Sequence, residues 1–241
     1  MAKTAPNDTH NVKIPSEFHS LRECFDFDEL TLSIGLDFEQ EKIELTDEVL
    51  GIDVGIKDLA ICSNRQKFRN INKSKRVKKN NKKLRRLQCQ VSRKYLQNKK
   101  GKEYVKTGNI IKLEKKMRLL NRKIAKIRLN HVRQSTTAIV KTKPCRLIME
   151  TLNIKGMMKN KRLSKAIAKQ SLYNFKSILK YKCENYGIEY IEADKIFPSS
   201  KLCSVCGNIK KALKLSDRIY KCSCCGNEID RDLQASINLS R

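Results

Sequence analysis

The chain has 241 residues, with 53 Lys+Arg against 25 Asp+Glu and a net charge of +28. Hydrophobic residues make up 39% of it and charged residues 32%, enough for one sizeable core plus a small module. No apolar run approaches the ~20 residues that span a bilayer, and Met1-Ala2-Lys3-Thr4-Ala5-Pro6-Asn7 lacks the apolar stretch of a secretory signal, so a cytoplasmic or nucleoid-associated protein, not secreted and without a membrane partner, is expected.

Residues 1–25 are polar and mixed and read as poorly ordered. From Leu30 to Phe38 apolar and polar residues alternate, the period of a half-buried strand, and a further short strand is expected near Ile43–Leu45. Residues 49–63 form two apolar strands around a turn at Gly55–Asp58, a hairpin buried on both faces, with a weak third strand near Gln66–Ile71. From Lys73 the chain is basic and compatible with helix to about Lys100, and breaks at Lys99-Lys100-Gly101-Lys102. Helical spacing resumes over 111–129, with Ile111, Leu113, Met117, Leu120, Ile124 and Ile127 on one face. The two segments predict a pair of antiparallel helices. A strand at 145–151, one long helix over 162–183 ended by Gly187, and a strand at Ile188–Glu192 complete a parallel crossover, so the fold class is α/β.

Charge is distributed unevenly along these elements. Residues 1–50 hold 12 acidic and 4 basic side chains, whereas residues 65–146 hold 30 basic and only two acidic ones, Glu103 and Glu114. Such a block repels itself unless a polyanion neutralises it, and nucleic acid does so with release of counterions. The candidate contacts are Lys78, Lys79, Lys82, Lys83, Arg85, Arg86, Arg93, Lys115, Arg122 and Lys126. A solvated lysine-rich linker is the bland alternative. An anionic membrane surface is a third, disfavoured because the block lacks a bulky aromatic face.

Three acidic residues at the ends of apolar runs carry the candidate chemistry: Asp53 in Gly51-Ile52-Asp53-Val54-Gly55, Glu150 in Ile148-Met149-Glu150, and Asp232 in Asp230-Arg231-Asp232. An unpaired charge in an apolar run is costly, which argues that Asp53 and Glu150 have partners. Converged carboxylates suit Mg²⁺, and phosphodiester hydrolysis runs on two such ions about 3.5–4 Å apart. Asp230 is the competing third ligand; either it or Asp232 can cap the helix at Leu233–Leu239, and either can pair with Arg231. Asp58 reads as a turn residue. His10, His19 and His131 show no ligand spacing.

Cys203-x2-Cys206 and Cys222-x2-Cys225, each followed by glycine, have the spacing of a closed four-cysteine Zn²⁺ site, with Cys224 as a competitor for Cys225. A closed site is structural, and its expected role is to pin the turn ahead of Asp232.

Taken together these stretches resemble TnpB, the OrfB-type, transposon-encoded RNA-guided DNA endonucleases, to which type V CRISPR nucleases and Fanzor proteins are similar. Gly51-Ile52-Asp53-Val54-Gly55-Ile56-Lys57 resembles that family's first RuvC motif, and Ile148 to Met157 its second. Phe197-Pro198-Ser199-Ser200-Lys201-x-Cys203 opens its zinc ribbon, and Asp230-Arg231-Asp232-x-Gln234-Ala235 resembles its third motif, with Gln234 where the family usually has Asn. The resemblance implies an RNase H-like (RuvC) mixed sheet with flanking helices and an inserted ribbon. It implies Mg²⁺ at Asp53, Glu150 and Asp232, a guide RNA, and a DNA target cut as an endonuclease. The expected layout is a remnant of the wedge region at 1–48, partly disordered, and a nuclease core at 49–200 with a basic helical segment at 73–130. The ribbon follows at 201–227 and the last motif helix at 228–241. Relatives carry a wedge barrel and a helical lobe ahead of the first motif, and about 48 residues precede it here. The alternative reading is therefore a truncated relative that binds DNA or RNA without cutting.

Overall fold

A computed structural model describes residues 43–194, 196–210, 212–213 and 217–241. The strand expected at Leu30–Phe38 and the expectation for residues 1–25 lie outside the described residues. Residues 43–45 are not strand; the first strand, β1, runs Thr46–Val54.

A five-stranded mixed sheet forms the centre. β1 pairs antiparallel with β2 (Asp58–Cys62), and β2 with β3 (Lys67–Arg69), so the weakly signalled third hairpin strand is present. On its other side β1 pairs parallel with β6 (Pro144–Glu150), and β6 with β7 (Glu189–Ala193), giving the order β3-β2-β1-β6-β7. The near-continuous apolar run in β1 reflects burial on both faces, as parallel pairing requires. Leu50, Ile52 and Val54 face one helical layer, where Val132, Ile139 and Val140 of α2 (Gly108–Val140) meet Leu172, Phe175 and Leu179 of α5 (Leu172–Tyr186).

The other face receives the C-terminal helix, α6 (Arg231–Leu239). Its approach depends on Gly51: a Cβ there would lie 2.0 Å from the Ser236 carbonyl oxygen and 2.7 Å from the Ser240 nitrogen. Only a residue without a side chain lets a helix backbone come this close to a strand. Side chains alternate along a strand. Asp53, two residues on from Gly51, therefore emerges on the α6 side.

The basic block folds as α1 (Lys75–Gln97) and α2, joined by the two-residue strands β4 (Lys99–Lys100) and β5 (Glu103–Tyr104). The break at 99–102 is as expected. α2 is longer than expected and continues to Val140, because Val132, Ile139 and Val140 carry its apolar stripe onto the sheet. Its first turn buries Ile110, not Ile111, which is 52% exposed. The helix expected over 162–183 is two: α4 (Ser164–Gln170) and α5, divided by Ser171, whose φ of 58° and ψ of 38° are left-handed. Hydrophobic periodicity continues through this break, so it left no trace in the pattern. A short α3 (Ile154–Met158) precedes them, and β8 (Ile219–Lys221) and β9 (Glu228–Asp230) form a small hairpin ahead of α6. Among the described residues, no helix is long and apolar enough to cross a membrane.

Candidate functional site

The β1–β6 register explains how two of the three acidic residues meet. Gly51 is abreast of Ile148 and Ile52 of Met149, so Asp53 comes abreast of Glu150. Neighbours in register share a face. The two carboxyl groups lie close enough for each to bear on the other's titration. Asp232 enters from the first turn of α6, over the face that Gly51 leaves open. All three line one cavity of about 460 Å³.

Asp230 has a different task. Its Oδ1 accepts from the Asp232 N–H at 3.0 Å and the Leu233 N–H at 3.3 Å, capping α6. Asp58 borders the cavity and pairs with Lys67 at 3.2 Å. His131 meets the Arg69 carbonyl at 2.9 Å, a contact between α2 and the end of β3.

Crowding of like charge dominates the electrostatics. Burial, then the charges of Glu150 and Asp232, push the Asp53 carboxyl well above its ordinary value, while the Arg231 guanidinium pulls it the other way. Burial also raises Glu150, with the hydrogen bond from Asp53 opposing. Arg231 Nε is 3.7 Å from Asp232 Oδ1, and Arg218 borders the same cavity. The sequence offered Arg231 as a partner for Asp230 or Asp232, and the structure places it beside Asp232; Arg218 had no assigned role. Arg218 precedes the second cysteine pair, and its distance from every acidic motif gave no signal. The donor set, three carboxylates lining one cavity, is of the hard oxygen type a divalent cation takes, and it is less tightly gathered than the four cysteine thiols.

A second ligand cluster stands on the far side of α6's first turns. The Sγ atoms of Cys203, Cys206, Cys222 and Cys225 all lie within 4.8 Å of one another, the one group of three or more ligand residues so gathered among the described residues. Cys203 and Cys225 are 3.6 Å apart, and Cys206 and Cys222 3.5 Å. Tetrahedral thiolates around an ion at about 2.3 Å are separated by about 3.8 Å, so the set fits a tetrahedral metal. Cys224 is outside it, exposed, its N–H donating to Cys222 Sγ at 3.4 Å. The two halves repeat one hydrogen-bond pattern. Cys203 N–H donates to Asn208 O at 2.9 Å and Gly207 N–H to Cys203 O at 3.0 Å. Cys222 N–H donates to Asn227 O at 2.8 Å and Gly226 N–H to Cys222 O at 3.2 Å. Gly207 and Gly226 both have φ 72°, which glycine adopts without strain. The N–H groups of Cys225 and Cys224 bring the Cys222 thiol down to about 6, the direction a metal ligand needs.

The two clusters are joined through α6. Gln234, fully buried, donates from Nε2 to Leu202 O at 2.8 Å and accepts from Ser204 Oγ at 3.4 Å. Asn238 donates to both Ser199 O and Leu202 O at 2.7 Å. The helix that presents Asp232 is thereby clamped to the turn that presents Cys203.

Of the residues expected to meet nucleic acid, Lys78, Lys79, Lys82, Lys83, Arg85, Arg86 and Arg93 are exposed on α1. Lys115 and Lys126 are exposed on α2, and Arg122 is half-buried there. Two shallow grooves are lined mostly by basic side chains, one on α1 by Lys82, Arg85, Arg86 and Arg93 with Cys89 and Gln90, the other between α1 and α2 by Arg76, Lys79, Lys83 and Lys123 among others.

Comparison with known proteins gives the same picture from outside. Residues 33–161 match the OrfB_IS605 family, described as a probable transposase, and residues 173–239 match the Cas12f1-like TNB domain. A Streptomyces pristinaespiralis protein named "Putative RNA-guided DNA endonuclease" is 32% identical over 80% of this chain and 45% of its own length. InsQ of Escherichia coli K12, of the same description, is 28% identical over 79% of this chain and 48% of its own. The chain thus spans about half the length of these curated relatives. Among solved structures, a CRISPR-Cas12f ternary complex superposes with a TM-score of 0.59 at 21% identity, over 87% of this chain and 41% of that one, which establishes a shared fold.

Proposed function

Because the chain belongs to the OrfB_IS605 family of probable transposases, we propose that it is a transposon-associated nuclease that hydrolyses DNA phosphodiesters at the Asp53–Glu150–Asp232 cavity. The mixed sheet is read as an RNase H-like (RuvC) core over 49–200 into which the α1–α2 hairpin is inserted. The cysteine hairpins at 201–227 are read as a Zn²⁺ ribbon, and 228–241 as the last motif of the core. DNA is the substrate and a guide RNA the partner, the reading supported by the names of the relatives. The observation that carries the proposal is that carboxylates from β1, β6 and α6 line one cavity, where the charges of Glu150 and Asp232 both bear on Asp53.

Mg²⁺ held by Asp53, Glu150 and Asp232 would supply a polarised water and stabilise the leaving oxygen. The protein's own part is then to prepare that place. Asp53 and Glu150 would present oxygens from the adjacent strands β1 and β6, and Asp232 a third from α6. Arg218 and Arg231, bordering the same cavity, offset the charge of an incoming phosphate and orient it. A water oxygen attacks phosphorus, and the bond to the leaving oxygen breaks. The basic faces of α1 and α2 hold the nucleic acid backbone by charge, without reading sequence.

The test is cleavage of DNA by the purified protein with its co-purifying RNA across a Mg²⁺ titration, beside Asp53→Ala. Cleavage that needs Mg²⁺ and disappears in the variant, with nucleic-acid binding kept, supports the proposal. Binding without cleavage at every Mg²⁺ concentration makes the chain a non-cleaving binder.

A further inference from the structure

The turn that follows Asp53 is gripped from outside at three successive carbonyls. Gln170 Nε2 donates to Gly55 O at 3.1 Å, Asn70 Nδ2 to Ile56 O at 2.7 Å, and Lys73 Nζ to Lys57 O at 2.9 Å. Gly55, Ile56 and Lys57 all border the acidic cavity. The donors come from the end of α4 and from the 3-10 turn Ile71–Lys73 with its cap Asn70, the root of the basic hairpin. A further layer ties these donors together. Asn72 Nδ2 donates to Asn70 Oδ1 at 3.0 Å, to Lys169 O at 2.9 Å and to Gln170 Oε1 at 3.4 Å, while Arg128 Nε of α2 donates to Asn72 Oδ1 at 2.8 Å.

Gln170 is 4% exposed, and the residue after it is the left-handed Ser171. A non-glycine residue there costs conformational energy and persists only where its surroundings require it. Here the break in the helix frees the Lys169 carbonyl to meet Asn72, and turns Gln170 onto Gly55.

We propose that Gln170, with Asn70 and Asn72, is a positioning residue for the acidic cavity: it fixes the Gly55–Lys57 turn, and so the Asp53 carboxylate, and Arg128 couples this clamp to the basic hairpin. The inference deepens the nuclease reading and rests on it for the purpose of the clamp.

The experiment compares wild type with Gln170→Met, which keeps the volume and removes the donor, and with Asn72→Ala. Two readouts are taken on the full chain: amide hydrogen exchange at residues 55–59, and calorimetric binding of Mn²⁺ alone. The clamp predicts faster exchange at 55–59 in both variants, and Mn²⁺ affinity about 10-fold weaker, as when ligand-supporting hydrogen bonds are lost elsewhere. Exchange and Mn²⁺ binding equal to wild type in Gln170→Met overturn it. Exchange needs neither metal nor cleavage. A wild type that binds no Mn²⁺ or cuts no DNA would therefore sink the nuclease reading, while faster exchange in the variants would still uphold the clamp.

Discussion

The two ligand clusters on either side of α6 are assembled in opposite ways. The four thiols come from two copies of one local turn, close in sequence, and are gathered before any ion is considered. The three carboxylates come from β1, β6 and α6 and meet only when the whole sheet forms and α6 closes over Gly51. A set closed by local hydrogen bonds is suited to holding an ion for the sake of the fold. A set drawn from three elements, with like charge crowding Asp53, is suited to taking up an ion, a water and a phosphate together.

If that contrast is right, damage on the two sides separates. Asp53→Ala leaves the fold intact and lowers the cleavage rate by on the order of 10⁴-fold, since residues acting as a unit lose nearly everything together; single-turnover kinetics beside a thermal melt measure both. Cys222→Ser strikes the fold first. Loss of a thiolate costs much of the structural metal's binding energy, so bound metal and melting temperature fall together, and activity falls with them through the Gln234 and Asn238 clamps.

Gly51→Ala tests the dependence of the carboxylate cluster on distant packing. The new methyl meets backbone, not a flexible side chain. A loss of about 2–3 kcal/mol is expected by urea unfolding, as for overpacking generally, together with weaker divalent-cation binding because Asp232 is displaced.

A pH series distinguishes the clusters more gently. Asp53 and Glu150 have raised folded-state values, so between the ordinary carboxylate range and those raised values the folded protein binds more protons than the unfolded one. Without divalent cations, stability falls as pH rises through that window, and added Mg²⁺ restores it; melting temperature against pH, with and without Mg²⁺, reads the sign. The smallest effect belongs to the basic hairpin. Lys79→Ala or Arg86→Ala lowers the slope of log K against log salt by about 0.9 each, without altering sequence preference.

How much was legible follows the same division. The cysteine cluster could be read from spacing and glycines because its geometry is local. Asp53 and Glu150 were legible because a charge ending an apolar strand is costly and so informative. Choosing Asp232 over Asp230 depended on which residue caps α6, which only the hydrogen bonds of Asp230 display. Arg231 was legible as a partner because it adjoins Asp230 and Asp232 in sequence, whereas Arg218 went unassigned because its relation to the cavity is made by tertiary folding. The break at Ser171 was missed because it interrupts backbone geometry without interrupting the apolar stripe of Ile167, Leu172 and Phe175.

The most direct test is a crystal of the protein soaked in Mn²⁺ and read by anomalous scattering. The account predicts density for Mn²⁺ between the carboxylates of positions 53, 150 and 232, absent in Asp53→Ala. A wild-type crystal at millimolar Mn²⁺ with a filled cysteine cluster and nothing between those carboxylates would contradict it.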